Sequence, residues 1–331
     1  MNKRIINDIK VNFKWYLICV ILLVITFVRL DYYVISPGSL IDLTDRINVE
    51  NAYKADGSFN MTYVSSREGT ILNVLLSYII PSWDLESVSE SRIEEETTSE
   101  IENRNKIYLR ETSYDAIIAA FDEANIKYNI DNIDLTVTHV YKDADTDLKT
   151  GDIIKSINGV STITYKELTS ELSKHEPIEK VSISVLRDSK EINTYAILHK
   201  EDDRIIIGVS LAELKTVKTT PKVEFVFKNN ESGSSRGLMC ALDIYNKITE
   251  YDLTKGRIIS GTGVIYENGQ VGAIDGVKYK LIGAVKKNAD IFIVPEKNYD
   301  EAIKIKQENN YDIRIIKAIN LHDVIEELKS N

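Results

Sequence analysis

The hydrophobic and polar positions divide the chain into four stretches. The first is an uncharged run from Trp15 to Val28, WYLICVILLVITFV, with no polar face. As helix it spans about 21 Å, against a hydrocarbon core of about 30 Å. Extension through Leu30 to Ile35 predicts one spanning helix, with Lys14, Arg29 and Asp31 at the interfaces and Trp15, Tyr32 and Tyr33 as belt residues. No alanine precedes Ala52, so the small-residue cleavage site of a signal peptide is missing and an uncleaved anchor over 1–35 is expected. Beyond it, Ser36-Pro37-Gly38-Ser39 predicts a turn, and alternating stretches between Ile47 and Leu76 predict a β-rich segment. Residues 86–102, ESVSESRIEEETTSEIE, carry seven Glu and one Arg and predict a solvated helix or link closing a region over 36–112.

Helical spacing resumes at Ser113 with DAIIAAFDEA. Next come a strand between Gly151-Asp152 and Asn158-Gly159 turns, a helix over Tyr165 to Leu172, and two strands around Asp188-Ser189, a unit over 113–202. From 203 to the end, strands are predicted over Ile205 to Leu211 and Val223 to Phe227. A helix follows from Arg236 or Gly237, with Leu238, Ala241, Leu242, Ile244, Tyr245 and Ile248 on its apolar side. Another is predicted from Asp275 to Ala284. The whole reads as an α+β multidomain chain.

Charge narrows the function. With 41 Lys plus Arg against 51 Asp plus Glu, the net charge is -10 and the pI about 5.1. No nucleic-acid partner is expected. The acidic excess lies after the apolar run, while Lys3, Arg4, Lys10 and Lys14 face only Asp8 before it. That asymmetry predicts a single-pass cell-membrane protein with its amino terminus inside and its body outside the cytoplasm. Two cysteines, Cys19 and Cys240, supply neither a disulfide framework nor a zinc site, and HExxH is absent. No metal or cofactor is expected.

The candidate chemistry is Ser235, at a strand-to-helix turn within Gly233-Ser234-Ser235-Arg236-Gly237. A serine there is either an N-cap or a nucleophile whose oxyanion is stabilised by helix-start N–H groups. Helical projection places Lys278 and Lys280 on opposite borders of the second helix's apolar face and does not choose between them as a base.

Two resemblances go further. LKTGDIIKSING and the elements around it, over about Ile130 to His199, resemble PDZ domains, which imply binding of an extended peptide as an added strand. The carboxylate loop such a domain would place near Tyr128 to Leu135 has no glycine. In order, ESGSSRGLM, DLTKGRIISGTGVI and NGQVGAIDGVKYKLIGAVKKNADIFIVP resemble the proteolytic domain of Lon-type serine proteases, over about Ile205 to Leu328. With the anchor and the PDZ, the chain is similar to the membrane-anchored, PDZ-containing, Lon-like endopeptidases of Gram-positive bacteria. That likeness implies a Ser-Lys dyad of Ser235 and Lys280, Thr262 bonded to the lysine, peptide or protein substrates and a homo-oligomer. No GxxxxGK[ST] motor motif occurs, which implies cleavage without ATP. The departures are the missing proline before Ser235, Arg236 after it, and Asp275-Gly276 where the family has Gly-Gly. They make a catalytically inactive anchor-PDZ scaffold the rival reading.

Overall fold

The computed structural model describes residue 8 and residues 10–89, 92–93, 96–228, 231 and 233–330. Lys3 and Arg4 fall outside the described residues, as do Glu90, Ser91, Glu94 and Glu95 of the acidic stretch and Asn229, Asn230 and Ser232 before the serine.

The single helix expected from Trp15 to Ile35 does not form. Helix covers Phe13–Phe27, roughly 22 Å, with no buried residue. The backbone turns extended at Val28, and Arg29–Asp42 is a strand paired on both sides, with Ser58–Thr70 and with Asp84–Ser87. The β-formers of Leu-Asp-Tyr-Tyr-Val-Ile, together with two ladders of hydrogen bonds, end the helix. Among the described residues no helix is long and apolar enough to cross a membrane.

The turn expected at Ser36 to Ser39 is also absent. The strand runs through it with a bulge between Pro37 and Leu40. Gly38 is needed there, because a Cβ would stand 2.2 Å from the Tyr63 carbonyl oxygen.

These strands are part of a six-stranded sheet that reads Arg314–Ala318, Ile291–Pro295, Ile258–Gly261, Ser58–Thr70, Arg29–Asp42, Asp84–Ser87. The first four run parallel and the last two pair antiparallel. Both faces are covered. Along Ile291–Pro295, Ile291 and Ile293 enter one core with Phe59, Phe121, Leu242 and Leu328, while Phe292 and Val294 enter another with Leu281 and Ala302. Helix Thr98–Glu123, opened by a Thr97–Glu100 capping box, buries Ala116 to Phe121 against helix Gly237–Ile248 on the first face. Of the acidic stretch, Glu86 and Ser87 end strand Asp84–Ser87 and Thr98 to Glu102 open this core helix, and the pattern from Ser113 belongs to this sheet's core.

The PDZ-like unit is a second sheet, ordered Val209–Thr219, Tyr128–Val140, Ile153–Ile157, Lys180–Arg187, Lys190–Ile197, around a core of Leu135, Ile154, Ile157, Leu168 and Ile183. Helix Tyr165–Leu172 forms as expected, with a Thr164–Glu167 capping box. Tyr128 pairs with Thr219, so the unit leaves and re-enters the larger domain at adjacent points.

Candidate active site

Ser235 stands immediately before helix Gly237–Ile248, and its own carbonyl is pinned from the neighbouring strand end. Gly263 N–H donates to it at 2.8 Å and Thr262 Oγ1 at 3.0 Å. Gly237 packs where a Cβ would meet Thr112 Oγ1 at 2.5 Å, so the helix start lies tightly against the core. The helix-start amides expected to serve an oxyanion are engaged: Gly237 N–H donates to Ser234 O, and Leu238 N–H to Gly263 O. Gly233 has φ +92°, which the turn into the serine requires. Arg236 is buried, its guanidinium 4.8 Å above the Phe227 ring, and burial lowers its pKa.

The two lysines of helix Val277–Lys286 have opposite fates. Lys280 is 5% exposed and its Nζ donates to Thr262 Oγ1 at 3.1 Å. No carboxylate pairs with it among the described residues, and burial pushes its amine down to about 8. Lys278 instead reaches outward to Asp84 Oδ2 at 2.5 Å, half-exposed. The helix itself lies close on the bulged strand. A Cβ at Gly283 would come within 3.2 Å of Gly38 O.

Ser235, Arg236 and Lys280 line one cavity of about 570 Å³, walled by Ser39 to Ile41 and Met61 to Val64 from the two long strands, with Arg46, Lys228 and Glu231 beyond. Ser235 and Lys280 make no direct hydrogen bond, and Thr262 touches both residues. Four features thus meet: a hydroxyl, an amine that loses its proton as pH rises past about 8, a threonine that fixes the amine, and space for a chain. Two elements of this site escaped sequence reasoning. Arg46 and the strands at 39–41 and 61–64 lie far from the serine motif and carry no local mark.

A second groove, of about 900 Å³, lies where Tyr165 of the PDZ helix faces Gly208, Val209 and Leu211. A glycine in the left-handed region lines it. Gly208 has φ +70° and sits between apolar Ile207 and Val209, the signal that marks it.

Comparison with known proteins finds two domain types, with bounds that differ from those of the two sheets. A PDZ-domain family model matches residues 109–198, and the Lon protease (S16) C-terminal proteolytic domain matches residues 229–330. The Lon protease of Aster yellows witches'-broom phytoplasma (strain AYWB) is 30% identical over 98 residues, which are 30% of this chain and 12% of that protein. Among solved structures, the PDZ domain of an SdrC-like protein from Listeria monocytogenes is 20% identical and covers 25% of this chain and 92% of its own, with a TM-score of 0.23. A solution structure from Geobacillus thermodenitrificans is 22% identical and covers 23% of this chain and 94% of its own, with a TM-score of 0.22. This chain joins a PDZ domain to a Lon protease (S16) C-terminal proteolytic domain.

Proposed function

We propose that this protein is a membrane-attached serine endopeptidase that cleaves peptides or exposed protein segments without ATP, with Ser235 as nucleophile and Lys280 as general base. One observation carries the reading: a buried amine without a carboxylate partner shares a cavity with a serine at a helix start. Neutral Lys280 takes the Ser235 proton as Oγ attacks the scissile carbonyl. The same group then returns the proton to the leaving amine, and water attacks the acyl-serine with Lys280 again accepting a proton. Thr262 holds the amine in reach, and substrate closes the remaining gap, as such contacts commonly tighten only on binding. The groove at Gly208 would present the substrate chain as an added strand.

Attachment to lipid is supported by helix Phe13–Phe27, whose Trp15, Leu17, Ile18, Ile21, Leu22 and Leu23 are all exposed. A helix apolar all round lacks the polar face that water needs. Body outside the cytoplasm, and assembly into a homo-oligomer, complete the proposal.

A serine-reactive phosphonate with mass mapping tests the chemistry. Labelling at Ser235, lost in Ser235→Ala and Lys280→Ala and kept in Ser234→Ala and Lys278→Ala, supports it. Labelling should rise with pH around the depressed lysine value of about 8. A folded wild type that neither reacts nor cleaves any peptide would leave the scaffold reading in its place.

A further inference from the structure

Glu231 lies four residues before Ser235, and its carboxylate is buried. Arg46 reaches it from the turn that follows strand Arg29–Asp42. Arg46 Nε donates to both oxygens, at 3.1 and 3.2 Å, and the side chains are only 16% and 7% exposed. The same carboxylate accepts Lys228 N–H at 3.2 Å, Glu231 N–H returns to Lys228 O at 2.9 Å, and Val226 N–H donates to Arg46 O at 2.8 Å. Glu231, four residues before the serine, is thereby fastened to a side chain 185 positions earlier in the chain.

The turn that carries Arg46 is fastened in its turn to the helix that follows the serine. Lys247, in that helix's last turn, donates through Nζ to Ile47 O at 2.7 Å and is steadied by Asp243 at 2.7 Å. The backbone on each side of Ser235 is thus referenced to the same short stretch, residues 43–47. One end of this bracket is a helix with a packed core. The other is Glu231, whose buried anchor is Arg46. Without Arg46, the buried Glu231 carboxylate would lose its hydrogen-bonded cation and keep only the field of Arg236, and relief comes from turning toward water, which displaces the backbone at Glu231.

We infer that Arg46 is a positioning residue for the nucleophile, setting the place of Ser235 through Glu231. The inference rests on Ser235 being the nucleophile. Arg46 itself moves no proton. It lines the same cavity, so contact with substrate is the competing role that the test must separate.

The test uses the full chain with Arg46→Ala, Arg46→Lys, Glu231→Gln and the double variant Arg46→Ala/Glu231→Gln. Two quantities are read: the rate constant for phosphonate labelling of Ser235, and kcat and KM on one peptide. Misplacing the hydroxyl should slow labelling and kcat by about 100-fold in Arg46→Ala, with KM within about twofold. Arg46→Lys keeps the charge but lacks the fork, and should recover part of the loss. The double variant should be hardly slower than either single one, because both remove the same contact. Should Arg46→Ala not fold, Arg46→Lys and Glu231→Gln carry the measurement. A raised KM with unchanged labelling would make Arg46 a substrate contact and overturn the inference, and so would unchanged labelling and kcat. A wild type that is never labelled at Ser235 overturns the nucleophile assignment and the positioning role together.

Discussion

The PDZ unit and the protease unit have been assembled in different ways from the same chain. The first is one continuous segment whose ends, Tyr128 and Thr219, pair side by side. The second is gathered from three: strands between Arg29 and Ser87, helix Thr98–Glu123, and everything after Val223. Its serine and lysine come from the third piece and the cavity wall from the first, so the cavity exists only when distant segments meet. A continuous module can be inserted or removed as a block, whereas the gathered domain depends on each of its parts.

The sharpest way to break that contrast is by excision. Replacing residues 129–218 with a short Gly-Ser link should leave a cooperatively folding domain that still cleaves a short unstructured peptide but handles a structured substrate poorly. Removing residues 29–87 should abolish cooperative unfolding altogether, since the sheet loses half of its six strands. Circular dichroism melts of the two deletions decide it. Equal loss of structure in both would mean that the PDZ unit is as integral as the strands.

A smaller effect is expected at the lysine where the pieces converge. Keeping Lys280 buried with its amine lowered from 10.5 to about 8 opposes folding at neutral pH by on the order of 3 kcal/mol. The folded state binds fewer protons than the unfolded one between pH 8 and 10.5, so this opposition fades as pH rises through that window. Lys280→Met should therefore be more stable than wild type at pH 7, by up to that amount, and gain nothing near pH 10.5. Urea midpoints at the two pH values read it. A destabilised Lys280→Met at pH 7 would mean that the amine is better satisfied than its surroundings suggest.

The junction of the two units gives the next effect. Glu111 and Asp115 of the long helix face a cavity of about 440 Å³ shared with Glu213 and Lys215 of the PDZ sheet and Glu267 of the protease loop. Burial pushes Glu111 and Asp115 each up to about 7. Lys215 pairs with Glu267 across the junction. Folded carboxylates with raised values hold extra protons between their ordinary range and pH 7, so the stability they confer is present at low pH and lost as pH rises to 7. Glu111→Gln/Asp115→Asn should raise the melting temperature above pH 7 and change it little near pH 4. An equal shift at both would point to packing rather than charge. The smallest effect belongs to Lys278. Its half-exposed pair with Asp84 should contribute about 1 kcal/mol or less, and Lys278→Ala should keep full activity.

How far each region was legible in the sequence follows the same division. The PDZ helix Tyr165–Leu172 agrees with its expected bounds, because caps, turns and periodicity within it are all local. The serine helix was equally readable from its apolar side, and starts at Gly237. Thr262 and Lys280 do meet by a hydrogen bond, but this pairing was expected from the resemblance. Projection alone left Lys278 level with Lys280, since a helix border is buried or exposed only by what packs on it. What could not be read was tertiary. Nothing local says that Ser58 to Met61 will lie parallel to Ile258–Gly261, some two hundred residues away. The same omission hid Arg46 and turned the expected helix beyond Phe27 into a strand.

That strand gives the apolar helix an unusual mechanical connection. Phe27 passes through a single residue, Val28, into Arg29–Asp42, with no slack between helix and sheet. A pull on the helix is directed along the strand and is resisted by two flanking ladders loaded in shear, many hydrogen bonds at once rather than one after another. The helix is therefore joined stiffly to the sheet, like a handle to a blade rather than a string to a weight. Any tilt of the helix would be transmitted through Arg29–Asp42 to Ser39, Leu40 and Ile41, the wall of the serine cavity.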